Sequence, residues 1–291
     1  MISELKYLRF SHIFKNFLIL APILGSQGLE SEFNYFLFIN GLISFSLLTL
    51  SCYLINDYTD KKTDKKNILK KKKSLALGKR KVFSILGFLI LLFVIHGFYF
   101  SILNNIFLFC YFLNFLLYNF YLKKFKIIDL LMLNNFYIIR ILYGAKLFVI
   151  DITFGFIIFF YFLFLGLSTA KRSIQVSSNK LKMNNLISPY YVGDLKILKK
   201  SILFSFLITL IILALFILNI QNIITLEDTI FLPSFLNFTE ILILFSCYTI
   251  WVIRCYYLIN INKIKIDIYK YFIEDKFSYF LIFIFLLIFI S

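Results

Sequence analysis

Residues 33–64 read FNYFLFINGLISFSLLTLSCYLINDYTDKKTD. From Phe33 to Ile55 the stretch is apolar almost throughout, and it is long enough to cross about 30 Å of hydrocarbon as an α-helix. Carboxylates follow at Asp57, Asp60 and Asp64. The stretch therefore predicts a transmembrane helix that delivers acidic side chains to one membrane surface.

The whole chain has the composition of a membrane protein. Its 291 residues are 61% hydrophobic and 20% aromatic, whereas a soluble domain is roughly 45–50% apolar. The mean hydropathy is +0.88, which excludes a water-soluble globule. Because no linker rich in Pro, Gly or Ser interrupts the chain and no fixed repeat occurs, we expect one membrane domain over residues 1–291.

Nine apolar runs have the length of a transmembrane helix. They lie near residues 13–29, 33–55, 82–103, 105–122, 128–149, 153–170, 201–220, 235–259 and 277–291. The sequence thus predicts an all-α, polytopic integral membrane protein with about nine transmembrane helices in one bundle.

Basic residues outnumber acidic ones, with 31 Lys and Arg against 15 Asp and Glu, for a formal net charge of +16. All of the basic residues except Arg140 and Lys146 lie in the amino-terminal arm, which reaches Lys15, or in alternate connections. Those connections are 61–81, 123–126, 171–200 and 254–276. The positive-inside rule places the amino terminus and these connections in the cytoplasm and Ser291 outside. We therefore expect an integral protein of a bacterial plasma membrane, with no nucleic-acid partner.

The acidic segment predicts a metal site at the cytoplasmic face. If the second helix continues past the membrane surface, Asp57, Asp60 and Asp64 lie at i, i+3 and i+7 on one helical face. Carboxylates this close repel unless a cation neutralises them, and hard oxygen ligands suit Mg²⁺. We expect these three residues to be catalytic by holding Mg²⁺. The alternative is a solvated helix on which the acids pair with neighbouring lysines.

Residues 56–64 match the pattern NDxxDxxxD, and a basic stretch that ends at Gly78 follows them. This arrangement resembles the first signature of the UbiA superfamily of intramembrane prenyltransferases. The resemblance implies nine transmembrane helices and cytoplasmic Asp-rich loops that hold a diphosphate through Mg²⁺.

Further segments resemble one branch of that superfamily, the polyprenyl-phosphate phosphoribosyltransferases, in order along nearly the whole chain. They are Arg9, Lys15 and Asn16 (RPxQWxKN), 72–78 ((K/R)RPxASG), Asp129 with 140–145, 170–172 with 188–191, and 254–256 with Asp267 and 275–276. Ser74 and Leu77 depart from the second of these patterns. The resemblance implies transfer of ribose 5-phosphate from phosphoribosyl pyrophosphate to a lipid phosphate.

A departure from the other branches favours this reaction. Prenyltransferases that act on aromatic rings carry a second Asp-rich motif between helices six and seven. Here that connection offers only Asp194 and begins with Lys171 and Arg172, whose side chains suit a phosphate or phosphomonoester. The partners predicted are phosphoribosyl pyrophosphate and a membrane lipid, either a polyprenyl phosphate or its diphosphate.

The predicted substrate-binding residues are polar or basic and lie toward the same membrane face. They are Lys15, Asn16, Asn56, Lys73, Arg140, Lys171, Arg172, Tyr191 and Arg254. Arg140 lies inside a span, where an Arg is costly unless it faces a polar cavity or a partner. A functional role and a buried pair with Asp129, Asn134 or Asn135 stay equally open.

Two other functions compete with phosphoribosyl transfer. One is an aromatic or haem-type prenyltransferase that uses a prenyl diphosphate. The other is a small-solute transporter, which predicts polar residues through several spans and an inverted repeat. The polar residues crowd one face instead and no such repeat is evident, so transport is the weaker alternative.

Overall fold

The computed structural model describes residues 10–25, 34–61, 78–99, 106–179, 189–220, 238–264 and 275–290. Throughout these ranges the backbone is helical or lies in turns and short connections, without a strand. The predicted all-α class is confirmed.

Each predicted apolar run overlaps a helix. A 3₁₀ helix, Phe10–Leu20, leads directly into the first α-helix. The α-helices are α1 (Ala21–Gly25), α2 (Tyr35–Thr59), α3 (Lys79–Tyr99), α4 (Ile106–Phe120), α5 (Lys126–Phe148), α6 (Phe154–Asn179), α7 (Leu195–Ile220), α8 (Phe238–Asn260) and α9 (Lys276–Ile290). Among the described residues six of them, α2, α3 and α5 to α8, are long and apolar enough to cross a membrane. The chain is a polytopic membrane protein, and the count of nine crossings stays a prediction.

Several helices are longer than the apolar runs that predicted them. The run 153–170 ends before Lys171, but α6 continues to Asn179. The run 201–220 begins after Lys200, but α7 already starts at Leu195. Hydropathy marks the part of a helix that meets hydrocarbon, whereas backbone hydrogen bonding continues into the polar layer.

The chain divides into two compact units, Met1–Asp151 and Ile152–Ser291. A single domain over the whole chain stays a prediction. In the first unit the 3₁₀ helix lies against α5 and α2, while α3 packs on α2 and α4 packs on α5. Its core includes Phe45 of α2, whose ring centroid lies 4.9 Å from that of Tyr111 and 5.0 Å from that of Tyr143.

A close backbone approach fixes the 3₁₀ helix against α5. A Cβ atom at Gly144 would overlap the carbonyl oxygen of Ile19 and lie 2.8 Å from its carbonyl carbon. Small residues at such crossings allow helices in a membrane to approach closely, which increases the packing contacts that hold them together.

The second unit is built on the long contact of α6 with α7. Gly166 lets the ring of Phe206 lie against the backbone of α6. Thr209 of α7 and Tyr248 of α8 share a hydrogen bond of 2.7 Å between their hydroxyl oxygens. The Lys199 ammonium donates to the carbonyl oxygen of Asn260 at the end of α8, a favourable position for a cation.

We expect Gly144→Ala to lower the free energy of unfolding by at least about 1–3 kcal/mol, which is the usual cost of overpacking. The new Cβ atom would meet the backbone of Ile19, which cannot move aside as a flexible side chain can. The measurement is thermal unfolding of the detergent-purified protein. Gly87→Ala in α3 is the control, since its Cβ meets no atom within 4 Å. It should leave the melting temperature unchanged or raise it. Equal melting temperatures for the two variants would contradict the close approach.

Candidate active site

The last turn of α2 carries the predicted Asn56 and Asp57, and Asp60 is its C-cap. Asp57 is 4% exposed. The N–H of Asp60 donates to the carbonyl oxygen of Asn56 at 2.9 Å. Two carboxylates therefore stand at the negative end of the helix dipole, and the last turn of α2 contains no basic residue. Cations from outside the helix would stabilise this arrangement.

One such cation comes from the turn after α4. The Lys123 ammonium lies 2.5 Å from Oδ1 of Asp60 and 3.3 Å from Oδ1 of Asn119. The Thr59 hydroxyl lies 3.2 Å from the same Asn119 oxygen and 3.0 Å from the Asn56 carbonyl oxygen. Thr59, Asp60, Asn119 and Lys123 thus join the ends of α2 and α4, and we call them the α2–α4 polar cluster.

The predicted shared face of Asp57, Asp60 and Asp64 depends on the second helix continuing past the membrane surface. The structure ends α2 at Thr59 and makes Asp60 its C-cap. Asn119 and Lys123 contact the side chains of Thr59 and Asp60. Asp64 and Lys73 lie outside the described residues. Within the described part of the chain no three Asp, Glu, His or Cys side chains are grouped, so the metal role of Asp57, Asp60 and Asp64 stays a prediction.

Sequence reasoning missed Lys123 and Asn119 as site residues. In the sequence, Lys123 contributes only to the charge pattern that predicts the membrane orientation. Asn119 lies within the fourth apolar run, 105–122. A usable signal was present, because Asn119 lies at the end of the fourth apolar run and Lys123 directly follows that run, on the face where the charge pattern places Asp60.

The structure brings the predicted Asn16 and Arg140 into contact inside the first unit. Arg140 is 1% exposed, and its Nε donates to Oδ1 of Asn16 at 3.0 Å. Nη2 donates to the Tyr111 hydroxyl at 3.0 Å, and Nη1 donates to the carbonyl oxygen of Phe136. The Asn16 amide nitrogen donates in turn to hydroxyls of α2, namely those of Ser46 and Thr49 at 3.0 and 3.1 Å.

Aromatic rings complete the surroundings of the guanidinium. Its central carbon lies 5.0 Å from the ring centroid of Tyr111, 5.6 Å from that of Phe45 and 5.7 Å from that of Tyr137. The Lys15 ammonium lies 5.9 Å from the Tyr137 centroid on the same side of the fold. At these distances the aromatic faces stabilise the positive charge of the buried guanidinium. The described contacts give Arg140 a structural role, while substrate binding by Lys15, Asn16 or Arg140 stays a prediction.

Asp129, which the sequence offered as a partner of Arg140, is completely buried and accepts a hydrogen bond of 3.2 Å from the Tyr118 hydroxyl. Thus the carboxylate at the start of α5 contacts α4. The guanidinium at the middle of α5 contacts the 3₁₀ helix.

In the second unit, α6 carries Lys171 and Arg172 beyond the apolar run. Arg172 is largely buried, and its Nη1 donates to Oε1 of Gln175 at 2.8 Å. Tyr191 is 61% exposed, and its backbone N–H donates to Oδ2 of Asp194 at 2.8 Å. The one acid between residues 171 and 200 therefore caps its own turn.

The predicted Arg254 meets a carboxylate. Nη2 donates to Oδ1 of Asp275 at 2.8 Å and Nη1 to Oδ2, a two-point ion pair between α8 and the start of α9. Asp275 also caps α9, accepting from the Ser278 hydroxyl and backbone N–H at 2.7 and 3.0 Å. The hydrogen bonds from Arg254 and then from Ser278 hold the pKa of Asp275 well below its usual range.

Comparison with known proteins gives two findings. The model of the UbiA prenyltransferase family matches residues 17–244. A solved structure reported for digeranylgeranylglyceryl phosphate synthase in membranes is similar over 99% of this chain and 95% of that one, with a TM-score of 0.58 and 16% sequence identity. At this identity the likeness shows the fold alone. No curated protein matches the sequence.

We expect Asn16 and Arg140 to be energetically coupled. Asn16→Leu leaves a buried guanidinium N–H without its acceptor, at a cost of about 1–3 kcal/mol or more. In Arg140→Met that donor is absent, so adding Asn16→Leu should cost less than it does in the wild type. Thermal unfolding of the two single variants and the double variant measures this coupling. Strictly additive effects would show that the contact contributes nothing.

Acid should weaken the link between Arg254 and Asp275. Because the folded-state pKa of Asp275 is depressed, its contribution is complete above the ordinary Asp pKa of about 3.9 and is lost as the pH falls below it. The melting temperature should therefore drop between pH 6 and pH 3 less steeply in Asp275→Asn than in the wild type. Asp151→Asn, at an exposed site, is the control and should keep the wild-type slope. Identical slopes for all three proteins would contradict the assignment.

Proposed function

Because the chain belongs to the UbiA prenyltransferase family, we propose that this membrane transferase moves ribose 5-phosphate from phosphoribosyl pyrophosphate to a polyprenyl phosphate and releases pyrophosphate. The observation that carries the choice of donor and acceptor is the character of the α6–α7 connection. Lys171 and Arg172 lie near the end of α6, just before it, and the only acid between residues 171 and 200, Asp194, accepts from the backbone N–H of Tyr191. Such a connection suits anionic oxygens better than a second metal.

The end of α2 would hold the pyrophosphate of the donor through Mg²⁺. Asp57, Asp60 and Asn56 offer hard oxygen ligands within one turn, and their place at a helix carboxyl end adds the negative dipole that favours a dication. These residues therefore fit the ion. When bound, Mg²⁺ supplies charge neutralisation for the departing pyrophosphate.

Lys123 acts on the same leaving group. Its ammonium, held between Asp60 and Asn119, is a compact charge suited to phosphate oxygens. Its contact with Asp60 also reduces the repulsion between the carboxylates of Asp57 and Asp60 while the substrate is absent. Lys123 thus positions Asp60 and attracts the donor.

The acceptor needs little activation. A phosphate monoester is largely ionised at neutral pH, since its second pKa is about 6, so its oxygen attacks without a strong general base. A bond forms between this oxygen and the anomeric carbon, and the bond from that carbon to the pyrophosphate oxygen breaks. The lipid chain stays in the apolar phase, and the polar ends react at the face that we assign to the cytoplasm of a bacterial cell.

The second candidate is transfer of a polyprenyl group from its diphosphate to an aromatic or similar acceptor. The family description favours it. It uses the same pyrophosphate-binding end of α2, so the two candidates differ in the group transferred and in the acceptor.

A donor comparison decides between the candidates. Membranes containing the protein and Mg²⁺ receive a polyprenyl phosphate with labelled phosphoribosyl pyrophosphate, or a prenyl diphosphate with an aromatic acid, and lipid products are separated by chromatography. We expect a phosphoribosylated lipid in the first reaction. Product in the second reaction alone would overturn phosphoribosyl transfer.

In the same assay Asp60→Asn should lower Mg²⁺-dependent turnover by about 100- to 1,000-fold, the usual loss when one charge-stabilising group is removed. The amount of folded protein should not change. The matched control is Asp151→Asn, whose carboxylate is exposed in the connection before α6. Full activity of Asp60→Asn would refute the proposed role of this carboxylate.

A further inference from the structure

The side-chain amide nitrogen of Asn119 has no hydrogen-bond partner among the described residues. Asn119 is 2% exposed, and its oxygen lies near the Lys123 ammonium and the Thr59 hydroxyl. Its nitrogen, Nδ2, is fully buried and finds no hydrogen-bond partner in the part of the chain that the structure describes. Buried polar atoms of this kind are rare in folded proteins, so a specific reason is expected.

The orientation of this amide is set by chemistry. A Lys ammonium has three N–H donors and no acceptor, so the Asn119 oxygen must face it. Rotating the amide by half a turn would bring two donors together at the 3.3 Å that separates Lys123 Nζ from the present oxygen. The unused atom is therefore a hydrogen-bond donor.

A second asparagine on α4 shows what a structural amide looks like there. Asn114 is also buried, and its Nδ2 donates to the carbonyl oxygen of Met132 at 3.3 Å. That bond ties α4 to α5. The same side chain type on the same helix is thus satisfied by protein at Asn114 and left with an open donor at Asn119.

The neighbours of Asn119 indicate what would complete it. Nδ2 lies roughly 2.2 Å from Oδ1 by amide geometry, which keeps it close to Lys123 and the end of α2. Among described contacts the Lys123 ammonium uses two of its three N–H groups, on Asp60 and Asn119. An ammonium and an amide N–H side by side form a binding site for an anionic oxygen.

We propose that Asn119 binds substrate, with Nδ2 donating a hydrogen bond to an oxygen of the diphosphate held by Asp57, Asp60 and Lys123. The inference rests on the proposed release of pyrophosphate, but not on which group is transferred. Asn119 provides a hydrogen-bond donor without adding charge. It therefore binds the diphosphate oxygen and leaves the charge balance between Lys123 and Asp60 unchanged.

Inorganic pyrophosphate with Mg²⁺ is the probe, measured by calorimetry on the full-length protein in detergent. Asn119→Asp keeps an oxygen for Lys123 and Thr59 and removes the donor. Asn119→Ala removes the donor without adding charge. We expect the pyrophosphate Kd to rise at least tenfold in both. Asn114→Asp, the matched control, should bind as the wild type does, whatever its melting temperature.

An unchanged Kd in Asn119→Ala, or a wild-type protein that binds no pyrophosphate, would overturn the proposal. A raised Kd in Asn119→Asp alone would also overturn it, since charge repulsion would then explain the effect. The donor comparison separates this inference from the proposed reaction. Prenyl transfer with Asn119-dependent pyrophosphate binding refutes only the reaction, whereas phosphoribosyl transfer with Asn119-independent binding refutes only the inference.

Discussion

A guanidinium inside the apolar layer has to find its partners within the protein, because lipid chains offer none. Arg140 meets this requirement with Asn16, Tyr111 and the Phe136 carbonyl. Asn16 uses both ends of its amide, one toward Arg140 and the other toward α2. A single side chain thereby connects the 3₁₀ helix, α2 and α5. One turn beyond Arg140, Gly144 supplies the space that this connection needs.

The two polar groups of the first unit contrast with each other. Around Arg140 the charge is enclosed by hydrogen bonds and aromatic rings, as a structural ion in a membrane should be. In the α2–α4 polar cluster, carboxylates stand at the unfavourable end of a helix and the buried Asn119 nitrogen lacks a partner among the described residues. Satisfied polar groups stabilise a fold, whereas a buried polar group without a partner calls for a specific reason, and ligand binding is one such reason. The contrast explains why function is assigned to the second group.

Most of the fold followed from hydropathy because a membrane span needs a long apolar run. Helix ends were less predictable: α6 extends past Lys171 to Asn179, since the backbone stays helical where the side chains become polar. Spacing indicated Asp57 and Asp60 because they lie three residues apart at the end of α2. Lys123 and Asn119 could not be placed beside them, because residues about sixty positions apart meet only through the packing of α2 and α4. For the same reason the sequence suggested Asp129 as a partner of Arg140, while the structure supplies Asn16, which is 124 positions away.

That separation orders the events of biosynthesis. A chain that grows at about 5–20 residues per second spends roughly 6–25 s between the synthesis of Asn16 and that of Arg140. The hydroxyls of Ser46 and Thr49 arrive far sooner, 30 and 33 positions after Asn16. During translation, the amide of Asn16 therefore has α2 as a partner long before α5 leaves the ribosome. The order of synthesis thus makes the α2 partners of Asn16 available first, and Arg140 joins two segments that were both synthesised before it.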